Sequence, residues 1–145
     1  MKYDTIGNVL SSLGVNLAGG GDSAGALYRD ADQSLGAARY AARIREATQL
    51  TTASAAKLFD IFIQAAPEII AALPTLDHCA VGGQFVQMFD AAGNCTPDAI
   101  SCVIGTEATV GHVDICNFIV QNASSVQVGQ EIAVAALAAA AHTCE

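Results

Sequence analysis

The sequence has no tryptophan and only three prolines, and charged side chains make up just 14% of its 145 residues. Typical soluble domains carry roughly a quarter charged residues. So low a charge excludes a solvated disordered chain and makes self-association the first expectation. Lysine and arginine are missing altogether after Lys57. Nucleic acid and anionic membranes are held by clustered basic side chains, so neither is an expected partner. No apolar run reaches the roughly 20 residues that span a bilayer. The stretch from Leu58 to Leu73 is broken by Asp60, Gln64, Pro67 and Glu68, and Ile132 to Ala141 is ten residues long. No integral membrane segment is therefore expected. The first residues lead into an amphipathic stretch containing Gly7, Asn8, Ser11 and Ser12, unlike a secretory h-region, so the chain reads as cytoplasmic when made.

Catalytic and cofactor signatures are missing as well. The glycines Gly19, Gly20 and Gly21 precede a helix start but lack the lysine and hydroxyl of a phosphate loop, so they read as a hinge. Asp90-Ala91-Ala92-Gly93-Asn94 has alanines where a calcium loop needs carboxylates. No C-x-x-C pair accompanies His78-Cys79, His112-x-x-x-Cys116 or His142-x-Cys144, so no zinc site is expected from spacing. The expectation is a protein that is not an enzyme and holds no cofactor or metal.

What the chain does have is alanine, 29 residues of it, in a composition that is 52% hydrophobic. Thin side chains let helices approach closely, and the length suits one domain. The expected fold is mainly α: a short amphipathic helix, a long Ala-rich helix, and a helical C-terminal half. Residues 80 to 130 leave room for a small β element. The division is residues 1–74, a helical assembly region, and 75–145, an acidic Cys-containing region, the two forming one continuous domain or a pair.

Spacing supplies the details. After Asp4 as N-cap, Ile6, Val9, Leu10, Leu13 and Leu17 line one helix face, which the triple glycine ends. Ser23 to Ala66 contains no proline, so it predicts one long helix or two with a joint near Thr51 and Thr52. Leu27, Ala31, Leu35, Ala38 and Ala42 share a face of it and form the candidate assembly face. Pro67 fits the first turn of a following helix through Leu73, which Pro74 stops. Thr96-Pro97-Asp98 starts another helix, and Val113–Val120 and Val126–Ala141 read as two more. Gln84 to Phe89 reads equally as a strand or a short helix.

Charge divides the chain sharply. Residues 1–57 hold all six basic residues against five acids, whereas residues 58–145 hold nine acids and no Lys or Arg. Carboxylates packed together repel until protonated, and histidines change charge just above that range. Asp60, Glu68, Asp77, His78, His112, Asp114 and His142 are therefore the candidate pH-responsive residues. All five cysteines, Cys79, Cys95, Cys102, Cys116 and Cys144, lie in this acidic half. In a reducing cytosol they read as free buried or half-buried thiols. They also form a module that oxidation after release could staple, with Cys144 as the odd thiol linking to a neighbour.

Residues 19–59 resemble the R-body structural proteins, small hydrophobic chains that polymerise into coiled ribbons. The resemblance is carried by Ala24-Gly25-Ala26-Leu27-Tyr28, Gln33-Ser34-Leu35-Gly36-Ala37-Ala38, Ala41-Ala42 and Thr52-Ala53-Ser54-Ala55-Ala56. It implies a subunit of a polymeric ribbon that extends under acid and disrupts a membrane as a polymer. The implied partners are copies of the chain and similar small proteins. The alternative is an internal virion or ejection protein of a tailed phage, whose helical texture Ala38-Arg39-Tyr40-Ala41-Ala42-Arg43-Ile44-Arg45-Glu46-Ala47 shares.

Overall fold

The computed structural model describes residues 3–47, 49 and 51–143, and its fold is mainly α. Among the described residues there are six α-helices: α1 (Tyr3–Ser12), α2 (Ala24–Asp30), α3 (Thr52–Ala72), α4 (Pro97–Ile104), α5 (Val110–Asn122) and α6 (Val126–Thr143). No strand occurs among them, only isolated antiparallel bridges at Arg39–Ile44, Val81–Gln84 and Phe89–Cys95. The β element allowed for residues 80–130 is thus reduced to two bridges, and Gln84–Phe89 is neither strand nor helix.

Helix α6 is the central member, packed against α3, α5 and α4. Its consecutive residues Ala133, Val134 and Ala135, and then Leu137, Ala138 and Ala139, are buried. A helix covered on several sides must be apolar nearly all round, and one made of alanine lets its neighbours come close. Helix α3 contributes Leu58, Ile61, Phe62, Ala65, Ala66 and Ile69, all fully buried. Phe62 also stacks on the imidazole of His142, and Nε2 of that ring donates to the Val103 carbonyl at 3.3 Å. One buried histidine thereby joins α6 to both α3 and α4.

The contact of α5 with α6 depends on Gly129. A Cβ there would stand 2.8 Å from Val120 Cα and 2.9 Å from Val120 O, both backbone atoms of α5. Backbone cannot swing aside as a flexible side chain can, so the helices meet at the distance only glycine permits.

The long helix from Ser23 does not form. Helix α2 stops after seven residues, and the chain continues through turns and a 3-10 turn at Tyr40–Ala42 before α3 begins. Gly36 adopts φ 75°, and a Cβ there would meet Ala47 at 2.3 Å, so a loop closes where a helix was expected. The joint expected near Thr51 and Thr52 is the start of α3. Thr51 Oγ1 accepts from the Ser54 N–H, and the buried Ser54 hydroxyl donates to the Ser34 carbonyl at 2.7 Å. That bond fastens the loop to the helix.

Helix α1 ends at Ser12, before the triple glycine, because Gly14 turns the chain at φ 84°. Tyr3 and Tyr28 then stack at 4.4 Å and exchange hydroxyl-to-carbonyl hydrogen bonds at 3.2 and 3.1 Å. Burial, ahead of the neighbouring Tyr3, pushes the Tyr28 phenol well above its ordinary pKa. Asn16 N–H donates to Glu68 Oε2 at 2.8 Å, and Arg29 donates to the carbonyls of Leu17 and Gly19. The glycine stretch is therefore a fastened turn.

Pro67 lies inside α3, contrary to the start expected there. The helix continues because Ala65, Ala66, Ile69 and Leu73 are all buried, and packing outweighs the local cost of a proline, about 3 kcal/mol in a helix interior.

Two substitutions test this packing in opposite directions. Gly129→Ala should destabilise by about 1–2 kcal/mol, since a backbone clash exceeds the gain in helix propensity. Pro67→Ala, at an exposed position, should stabilise by about 1–2 kcal/mol by restoring a helix N–H. Denaturant melts read both; the reverse sign for either contradicts the packing described.

Candidate functional site

Two disulfides frame the acidic half. Cys79, on the 3-10 turn Asp77–Cys79, bonds to Cys102 of α4, and Cys95 bonds to Cys116 of α5. The expectation of free thiols is corrected: four of the five cysteines are paired, and Cys144 lies outside the described residues. Each bond closes a loop of 23 or 21 residues in sequence, and the loops overlap. Loop-closure entropy assigns about 3 kcal/mol to each bond. Such bonds form and persist where thiols are oxidised.

The chain reaches Cys95 through a tight turn. Asp90 Oδ1 accepts from the N–H groups of Ala92 and Asn94, both at 2.8 Å, and Gly93 turns at φ 84°. Cys95 N–H then donates to Asn117 Oδ1 of α5 at 2.8 Å, which sets its sulfur beside Cys116. The Asn94 N–H, followed by the Asn94 side-chain amide, holds the Asp90 carboxyl below the usual carboxylate range. The sequence that faintly resembles a calcium loop is thus a turn whose carboxylate is satisfied by its own backbone.

Beside this turn an open cleft of about 520 Å³ is lined by Val81, Phe85, Gln87, Phe89, Thr96 and Asp98, among others. Asp90 and Asp98 are its titratable groups. Among the described residues, one grouping of three metal-ligating side chains converges: His78, Cys79 and Cys102.

The candidate assembly face is dispersed. Leu27 lies on α2, Ala31 caps it, Leu35 is buried in the chain's own core, Ala38 is in a loop, and Ala42 is exposed on the 3-10 turn. Without the long helix there is no common stripe. The candidate pH-responsive residues are equally scattered. Asp60, Asp77, His78 and Asp114 are exposed, on α3, the 3-10 turn and α5. Glu68 accepts from Asn16, His142 is buried against Phe62, and His112 closes a capping box with Thr109. Among the described residues no three carboxylates lie close enough together to share one ion.

Other residues form surfaces that spacing did not single out. Tyr40 is 89% exposed and Ile44 54%, on a turn whose ends, Arg39 and Ile44, exchange backbone hydrogen bonds at 3.0 Å. Arg43 occupies the left-handed region at φ 55° to close it. Arg39 is held by Asp32 at 3.3 Å, while Arg43 and Arg45 are exposed. The alternation of arginine with Tyr40 and Ile44 was the available signal. In the acidic half, α5 turns Val110, Ile115 and Phe118 outward. Asp114 and Glu131 are the only acids between residues 110 and 143. No helix among the described residues is long and apolar enough to cross a membrane.

No family model, curated protein or solved structure matches this chain.

The Asp90 turn carries a direct expectation. A carboxyl lowered in the folded state stabilises above the ordinary carboxylate range, and that contribution is lost as pH falls through the lowered value. Asp90→Ala, or acid below that value, should therefore speed amide exchange at Ala92 and Asn94 while α3 and α6 stay protected. Unchanged exchange at those two amides would show that the carboxylate does not hold the turn.

Proposed function

We propose that this chain is a structural subunit that associates head to tail with copies of itself. The projecting turn at residues 39–45 of one copy docks on the acidic half of the next. The observation that carries this reading is the separation of two unlike surfaces on one chain. One is a closed turn bearing Arg43 and Arg45 beside the exposed Tyr40 and Ile44. The other is a half with nine acids, no Lys or Arg, and outward-facing Ile115 and Phe118.

Each surface lacks what the other has. The turn brings cations and two apolar side chains, and the acidic half carries no Lys or Arg of its own and exposes Ile115 and Phe118 next to and near Asp114 in sequence. Opposite potentials steer the encounter, and burial of the apolar groups supplies affinity. Because the two surfaces differ, the contact is heterologous; repeated without closing, it builds an open polymer. A ribbon of the kind implied by the resemblance at residues 19–59 is one such polymer. The disulfides support the same reading by making the receiving half rigid before docking.

Sedimentation velocity across a concentration series tests the proposal. Wild-type protein should sediment as species larger than its 14.8 kDa monomer, and added salt should dissociate them by screening. Exchanging Arg43→Glu and Arg45→Glu together should weaken association on the order of tenfold or more, with the fold unchanged. A wild-type chain that stays monomeric at every concentration, or a double variant that associates equally well, contradicts the proposal.

A further inference from the structure

The two disulfides differ in their surroundings. Cys95, Cys116 and Cys79 are all buried, whereas Cys102, the partner of Cys79, is half-buried. Beside the second pair stands the exposed imidazole of His78, with its ring nitrogen and the two sulfurs all within 4.8 Å of one another. Among the described residues no such grouping includes the first pair. His112, four residues before Cys116, spends Nδ1 on the Thr109 N–H at 3.1 Å.

Two sulfurs and an imidazole are the donor set that zinc-like cations prefer, once the sulfurs are thiolates. Around a tetrahedral zinc, with Zn–S about 2.3 Å and Zn–N about 2.0 Å, ligand atoms stand roughly 3.5–3.8 Å apart. The three atoms already fall within a sphere of that scale. Opening the sulfur–sulfur bond separates Cys79 from Cys102 by about the extra distance required, through side-chain rotation.

The geometry points to Cys79, Cys102 and His78 as a redox-gated binding site for a zinc-class divalent cation, closed while the disulfide stands and formed when a thiol reductant opens it. The step balances with two equivalents of a small thiol. The first thiolate attacks Sγ of the accessible Cys102, the Cys79–Cys102 bond breaks, and its electron pair leaves on Cys79 Sγ. The second thiol attacks the resulting mixed disulfide at the small-molecule sulfur. Cys102 is released and the two small thiols leave as their own disulfide, so the protein gains two electrons and two protons. Binding the cation displaces both protons to solvent; His78 supplies its ring-nitrogen lone pair, and water fills the fourth position. This site shares no residue with the turn at 39–45 or with Ile115 and Phe118, and its cobalt readout is made without reference to association.

The test uses the full oxidised chain and cobalt(II), whose thiolate charge-transfer and tetrahedral bands report the ligand set. Stepwise reduction with glutathione, followed by alkylation and peptide mapping, should label Cys79 and Cys102 before Cys95 and Cys116. The partly reduced protein should then bind one cobalt(II) with a thiolate band, and zinc should displace it. His78→Ala should weaken that binding by about tenfold or more while the melting of the oxidised protein is unchanged, since the side chain is exposed. Cys144→Ser should leave the band intact. The inference is overturned if both disulfides open together, if reduction yields no thiolate–cobalt band, if His78→Ala binds as tightly as wild type, or if Cys144→Ser removes the band.

Discussion

The closeness with which helices meet α6 is the constraint on which the rest of this structure depends. Buried alanines at positions 133, 135, 138 and 139 keep α6 thin where α3 and α4 pack against it. Gly129 does the same for α5, where any Cβ would strike the backbone at Val120. With no tryptophan and few aromatic rings in the chain, close contact between small groups must supply the dispersion that large side chains provide elsewhere. The larger residues Phe62, Ile61 and Leu58 come from α3 and fill what the alanines leave open. Positions of α5 and α4 follow from this stem, and with them the sulfurs of Cys116 and Cys102.

Much of the helical content was legible in local pattern, because it rests on local chemistry. Thr51 and Thr96-Pro97 mark real helix starts, and the periodic runs at Val113–Val120 and Val126–Ala141 are α5 and α6. Failures came where tertiary contact decides. The spacing of Leu27, Ala31 and Leu35 is helical, and Ala31 and Leu35 do bond back to carbonyls four residues earlier. The helix nonetheless ends, because Gly36 packs on Ala47 and Ser34 is claimed by Ser54. Pro67 announces a break that burial of α3 prevents. Of the two Ala-rich stretches only the one at Val126–Ala141 forms an α-helix, α6, while Ala38, Ala41 and Ala42 lie outside any α-helix.

The surfaces show the same division. A count of charges along the chain separates the basic segment from the acidic half, and the structure adds the closed turn that lifts Tyr40 and Ile44 into solvent. Cysteine pairing was beyond the count, since connectivity depends on where remote elements come to rest. Here the Asp90 turn and the Asn117 amide place Cys95, and α4 packing on the Asp77–Cys79 turn places Cys102. Nine carboxylates without a Lys or Arg admit two readings, a solvated acidic surface and a packed cluster of acids. The folded chain disperses Asp60, Asp77 and Asp114 over separate exposed positions, where water solvates them and a basic surface on another copy can reach them.

A photo-crosslinking side chain placed at position 40 tests the head-to-tail arrangement most directly, because Tyr40 is the most exposed large apolar residue described. Isotope-labelled and unlabelled chains, mixed before irradiation, distinguish links between copies from links within one. The account predicts links between copies that map to residues 58–145 of the neighbour. Links confined to the same chain, or links between copies that map to residues 1–57, would contradict it.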